Sequence, residues 1–204
     1  MKNNEDIIQF KIITLGDSNV GKTSIICRYI ENKFYEVQIS NIGINKSYKE
    51  ITLKNGSKVK LYLVDTSGQE KYRSTSKQYI KNADGVLFVF DLSSKDSFNN
   101  IKEWINIFNE NNVYDTTPKF LIGNKKDLPR EVEQNIIDLF SEEKNIKYLE
   151  TSAKDEKDNT INELFQELGE QLYEKNKKSG KRKSSKIKKL SSEKSTPLLE
   201  KCCL

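Results

Sequence analysis

Apolar runs alternate with amphipathic stretches through the first 174 residues of the chain. The runs predict strands near 9–15, 43–54, 58–65, 85–91, 118–124 and 146–150, and the amphipathic stretches predict helices near 22–32, 70–80, 95–111, 130–144 and 157–176. Val86-Leu87-Phe88-Val89-Phe90 is apolar at every position, as a strand buried on both faces must be. Asn55-Gly56 between two alternating runs marks a hairpin, so the second and third strands are expected to pair antiparallel. The remaining strand–helix–strand units predict a single α/β domain, a six-stranded and mostly parallel sheet with helices on both faces. Pro129 falls where a helix should begin and suits its first turn. No internal repeat is visible. From Lys175 onward the composition turns to Lys, Ser and Glu, which predicts a disordered tail over 175–204 after a folded 8–174 and a flexible 1–7.

Composition narrows this picture. A chain of 204 residues accommodates one full core plus a tail, and its 35% hydrophobic content contains no stretch long enough for a membrane span. The first six residues lack the apolar centre of a signal peptide. Three cysteines, two adjacent near the C-terminus, make no disulfide framework, and Cys27 reads as a small buried hydrophobe; a reducing cytosol fits. There is no histidine, hence no imidazole catalysis. The formal charge of +5 is uneven: residues 175–194 hold ten Lys/Arg against Glu193, which leaves about −4 on the first 174 residues. Basic character confined to the tail excludes a nucleic-acid-binding domain face and predicts a tail that meets an acidic surface.

The chemistry begins at Gly16-Asp17-Ser18-Asn19-Val20-Gly21-Lys22-Thr23, which follows the first strand and opens the first helix, with Ser24 next. The spacing G-x-x-x-x-G-K-T in that context is the phosphate-binding loop. Gly16 and Gly21 let the backbone bend so that successive N–H groups point at a polyphosphate, and the helix start adds its positive dipole end. Lys22 supplies a point charge to the β- and γ-phosphates, and the Thr23 hydroxyl is placed for Mg²⁺. The segment predicts binding of a nucleoside triphosphate. Alone it does not separate kinase, ATPase and GTPase.

Three further segments fall in loops after strands, where ligands sit in open α/β sheets. Asp65-Thr66-Ser67-Gly68-Gln69 offers a carboxylate for the Mg²⁺ shell and a Gly68 N–H for the γ-phosphate. Asn124-Lys125-Lys126-Asp127 offers a carboxylate able to accept from the ring N–H and exocyclic amine of guanine, a donor pair that adenine lacks. Glu150-Thr151-Ser152-Ala153-Lys154 can set a backbone N–H against guanine O6. Together they oppose a kinase or ATPase.

With GDSNVGKT, DTSGQE, GNKKD and ETSAK in order and at family spacing over residues 8–174, the chain resembles the Ras-like small GTPases. Ile42-Gly43-Ile44, Lys71-Tyr72-Arg73-Ser74, the Tyr79 segment and Asp96-Ser97-Phe98 followed by Trp104 make it most similar to the Rab family. The resemblance implies a phosphate-loop GTPase domain and a monomeric switch between GTP and GDP forms. It implies that Gln69 orients the attacking water, that Thr23, Asn41 and Asp65 serve Mg²⁺, and that Phe34 lies against the guanine ring. It implies that Asn124, Lys125 and Asp127, with Ser152, Ala153 and Lys154, read the base. Hydrolysis is then slow alone and accelerated roughly 10³–10⁵-fold by an activating protein. An exchange factor, a dissociation inhibitor and effectors complete the expected partners.

The departures from the family are as informative. Asn41 stands where relatives carry the threonine that joins Mg²⁺ in the GTP state, which predicts weaker coupling of that loop to the γ-phosphate by about 1–2 kcal/mol. Asn19 occupies a position often glycine and is expected to tolerate a left-handed backbone. Ser67 replaces an alanine. Lys46 and Val64 stand where relatives carry aromatics, leaving Tyr79 of three. Cys202-Cys203-Leu204 resembles the geranylgeranylated ends of Rab proteins, and the basic run before it supplies the second membrane signal that one lipid chain needs. The expected location is the cytoplasmic side of a membrane with a cytosolic pool. Two functions follow: a GTP-hydrolysing switch of vesicle traffic, or a nucleotide-bound membrane adaptor that hydrolyses and switches little.

Overall fold

The computed structural model describes residues 7–36, 45–66, 73–114 and 116–179. Six strands, β1 (Ile8–Leu15), β2 (Asn45–Thr52), β3 (Lys58–Asp65), β4 (Gly85–Asp91), β5 (Lys119–Asn124) and β6 (Lys147–Glu150), form one sheet in the order β2-β3-β1-β4-β5-β6. Only β2 and β3 pair antiparallel; the other neighbours are parallel. The hairpin forms at Asn55-Gly56 as expected, with Gly56 at φ +82°, the Gly56 N–H on Leu53 O at 2.9 Å and the Leu53 N–H on Ser57 O at 2.8 Å. The helices are α1 (Lys22–Glu31), α2 (Arg73–Ile80), α3 (Lys95–Asn99), α4 (Ile101–Asn111), α5 (Gln134–Lys144) and α6 (Thr160–Lys178).

The strand period of two sorts the core into two layers. From β1, Phe10 and Ile12 face one side and Ile13 and Leu15 the other; from β4, Leu87 and Val89 oppose Val86, Phe88 and Phe90. The first layer is closed by Ile25, Ile26 and Tyr29 of α1 with Leu164, Phe165, Leu168 and Leu172 of α6. Tyr29 stacks on Phe165 with ring centroids 3.9 Å apart. The second layer is closed by Ile80 of α2, Phe98 of α3, Trp104 and Phe108 of α4, and Ile137 and Phe140 of α5. Burying each such side chain contributes roughly 1.5–3 kcal/mol. Cys27 is among the buried residues, as its small apolar character predicted.

Three boundaries differ from expectation. The helix predicted over 95–111 is interrupted at Asn100: Ser94 caps the start of α3 by accepting the Ser97 N–H at 3.3 Å, the Asn100 N–H closes its end on Asp96 O at 3.0 Å, and α4 begins at the next residue. Pro129 does not begin a helix: the Glu131 and Val132 N–H groups donate to Leu92 O at 2.9 and 3.2 Å, tying that segment to the end of β4, and the helix starts only after the extended Glu133, at Gln134. The helix α6 runs through Lys178, beyond the point where the tail was expected to start. Lys175, Lys177 and Lys178 in its last turn suit the negative end of the helix dipole, and Lys175 Nζ donates to Thr116 O at 2.9 Å.

Candidate functional site

The loop from Gly16 to Gly21 leaves β1 at the carboxyl edge of the sheet, and α1 begins at Lys22 with no side chain capping its first N–H groups. The positive end of its dipole therefore faces that loop, where an anion would sit. The loop's two glycines are required by space as well as by angle. A Cβ on Gly16, at φ +149°, would lie 2.1 Å from Val89 O, and one on Gly21, at φ +95°, would lie 2.2 Å from Asn124 Nδ2. Asn19 adopts φ +64°, as its tolerance of the left-handed region predicted, and Ser18 beside it is exposed.

Lys22 is 5% exposed and curls back over the loop, its Nζ donating to Gly16 O at 2.9 Å and Asp17 O at 2.6 Å. The next residue faces β3: Thr23 Oγ1 donates to Asp65 Oδ2 at 2.6 Å. Thr66 anchors the end of that strand through Oγ1 on Thr14 O at 2.6 Å. A hydroxyl and a carboxylate thus meet beside the lysine, a hard oxygen pair of the kind Mg²⁺ takes. Ser24 is buried one residue further along α1.

The base-side loops join this cradle through Asn124. Its Nδ2 donates to Val20 O at 2.9 Å, while its Oδ1 accepts the Thr151 hydroxyl at 3.1 Å and the Ala153 N–H at 3.3 Å. Asn124 is therefore a brace between loops. Lys125, in a left-handed conformation, pairs with Asp91 at 2.6 Å. Burial pushes the Asp91 carboxyl up, but hydrogen bonds from Lys125 and Ser93 outweigh it and hold the group below the usual carboxylate range. Asp127 is exposed and oriented by the Ser152 hydroxyl, which donates to its Oδ1 at 2.5 Å and accepts the Asp155 N–H at 2.8 Å. Lys154 is exposed and lies 3.8 Å from Glu36, a solvated pair of small energetic weight. Phe34 is half-buried against the α1–α6 layer.

The structure thus brings Gly16–Ser24, Asp65, Asn124–Asp127 and Thr151–Lys154 to one edge of the sheet. Asn41, Gly68, Gln69, Cys202 and Cys203 lie outside the described residues. Sequence reasoning missed two partners of the cradle. The Asp17 carboxylate accepts Trp104 Nε1–H at 2.8 Å and Asn100 Nδ2–H at 2.7 Å, so a negative side chain inside an anion loop is turned outward and held. The Asn100 break that separates α3 from α4 sits at this contact. It also missed Arg28, whose guanidinium reaches the 151–154 loop.

Burial lowers Lys22 to about 8, against the opposing pull of Asp65 and Asp17. A bound polyphosphate favours the ammonium, so above that pH binding takes up a proton and affinity falls by up to about tenfold per unit. Calorimetric titration of the nucleotide-free protein with a nucleoside diphosphate, in two buffers of different ionisation heat, should show uptake near one proton at about pH 9 and little at pH 7. Equal uptake at both would contradict the assignment.

Comparison with known proteins identifies the family. The sequence profile described as Ras family matches residues 11–174. The chain is 38% identical over 166 residues to the Ras-related protein SEC4 of Saccharomyces cerevisiae, covering 81% of this chain and 75% of that one. It is 35% identical over 167 residues to the GTP-binding protein ypt1 of Schizosaccharomyces pombe, covering 81% and 80%. It is 38% identical over 164 residues to the Ras-related protein Rab-1C of Dictyostelium discoideum, covering 79% and 80%. Matched along the cradle and the base loops alike, the chain belongs to the Ras family of small GTPases, in its Rab branch.

Proposed function

We propose that this Rab-type GTPase, a GTP hydrolase of vesicle traffic by its family, carries its nucleotide in the site described above. The carrying observation is the Asn124 brace, which fixes the phosphate loop and the guanine loop relative to each other. Gly16–Ser24 would hold the phosphates, with Lys22 on the terminal groups. Asp127 would accept the two N–H donors of guanine, Ala153 would donate to its O6, and Lys125 and Phe34 would flank the ring.

Thr23 and Asp65, with Asn41, are the residues that would hold Mg²⁺. The ion, when bound, neutralises charge that develops on the phosphoryl oxygens. Mg²⁺ is usually bound through one or two carboxylates, with substrate phosphates and water completing its shell. In the hydrolysis itself Gln69 orients a water for attack on the γ-phosphorus, the bond to the bridging β–γ oxygen breaks, and GDP and inorganic phosphate leave. As in the family it resembles, an activating partner would supply further positive charge to the transferring phosphoryl group.

The partner face differs from the family pattern. Val64 is fully buried, and Tyr79, half-buried, lies beneath the ammonium groups of Lys46 at 5.2 Å and Lys11 at 5.9 Å. Partners would meet lysine where relatives present aromatic rings, so effectors selected for those rings should bind poorly. No helix among the described residues is long and apolar enough to cross a membrane. Attachment is assigned to prenyl groups on Cys202 and Cys203 with the basic tail, on a cytoplasmic membrane face.

Three outcomes are expected. Nucleotide released from the denatured recombinant protein chromatographs mostly as GDP; mostly GTP would favour the adaptor reading that Asn41 suggests. In a Mg²⁺ titration of GTP release, Asn41→Thr retains GTP at roughly 5–30-fold lower Mg²⁺ than the parent, the equivalent of about 1–2 kcal/mol of coupling; superimposable curves would make Asn41 a neutral substitution. Replacing Cys202 and Cys203 by serine shifts the protein from the membrane pellet to the cytosolic fraction, and an unchanged pellet would remove the lipid anchor from the account.

A further inference from the structure

Helix α1 has an anchoring point at its far end that the phosphate cradle does not use. Arg28 lies in its last turn, half-buried, and spreads its guanidinium over three carbonyls. Nε donates to Ala153 O at 2.9 Å, Nη2 donates to Lys154 O at 3.1 Å and Nη1 donates to Asn32 O at 2.9 Å. Asn32 is the left-handed cap of α1 itself, with its N–H on Arg28 O. One planar group therefore ties the end of the helix to the backbone of the loop after β6.

That loop is held in two halves. Ser152 belongs to the half fixed by Asp127 and the Asp155 N–H. Ala153 and Lys154 belong to the half fixed by Arg28, to which the 3.3 Å bond from the Ala153 N–H to Asn124 and the exposed Lys154–Glu36 pair at 3.8 Å are added. Just beyond, Glu156 accepts the Ile161 N–H at 2.6 Å at the start of α6. Burial raises the Glu156 carboxyl above its ordinary value, and the Arg28 charge is among those that oppose this. The guanidinium thus lies among α1, the loop and the approach to α6.

We propose that Arg28 is the positioning residue of base recognition: it sets the height of the Ala153–Lys154 backbone, and with it the Ala153 N–H, against the oxygen at C6 of guanine. Because α1 carries Lys22 and Thr23 at its other end, Arg28 also couples the phosphate half of the site to the base half through one rigid helix. The proposal rests on the reading of Ser152–Lys154 as the guanine loop. A lysine cannot substitute, since a point donor does not span two neighbouring carbonyls as a planar fork does.

The test uses full-length Arg28→Met and Arg28→Lys and the dissociation constants of three nucleotides. Guanosine diphosphate is the reference. 6-Thioguanosine diphosphate changes only the acceptor at C6, and inosine diphosphate removes only the 2-amine that Asp127 would accept. The parent should prefer guanosine to both analogues. Arg28→Met should bind guanosine diphosphate about ten- to a hundredfold more weakly, the usual effect of losing charge-assisted hydrogen bonds to carbonyls. Its preference over the 6-thio analogue should shrink with that loss, while its preference over inosine diphosphate stays, because Ser152 still orients Asp127. Arg28→Lys should follow the methionine variant, and it carries the same comparison if the methionine variant fails to fold. Equal weakening toward all three nucleotides would make Arg28 a general packing residue and overturn the proposal. A parent that does not discriminate at C6 would instead overturn the guanine-loop reading, and the proposal with it.

Discussion

A single amide, that of Asn124, is 2% exposed between the loop that follows β1 and the loop that follows β6, and its three hydrogen bonds join them. Each bond taken alone contributes about 0.5–1.5 kcal/mol, but removing the amide would leave three partners facing each other unpaired. The constraint runs in both directions. Gly21 must lack a Cβ because Asn124 Nδ2 occupies that place, so the glycine of the phosphate loop and the asparagine of the base loop are one feature seen from two strands. Lys22, Thr23 and the Lys125–Asp91 pair take their places around that junction.

Much of this was legible from spacing. Strand period placed β1, β3 and β4 to within a residue or two, and the ordered motifs placed the phosphate loop and the loops after β5 and β6 on one edge of the sheet. The glycine argument at Gly16 and Gly21 and the left-handed tolerance of Asn19 rest on backbone sterics, which act locally and so leave a local trace. What left none is the tertiary partnering of polar side chains. Asp17 within an anion loop demands donors, but nothing in the chain says that Trp104 and Asn100 supply them across more than eighty residues. Arg28 reads as one more amphipathic helix position until the loop beyond β6 folds against it. Pro129 misled for the same reason: its fitness for a helix start is local, whereas the hold of Leu92 O on Glu131 and Val132 is not.

Strand β4 has a further consequence. All seven of its residues are buried, and its alternate side chains fill the two layers of the core. The same strand supplies the Val89 carbonyl, against which only a glycine fits at position 16, and it ends in Asp91, which holds Lys125. One inserted or deleted residue between Val86 and Phe90 would exchange the occupants of both layers and move the carbonyl and the carboxylate out of reach of the site. Length variation in this chain is therefore confined to its connections, because β4 is the common ruler from which packing and nucleotide geometry are both measured.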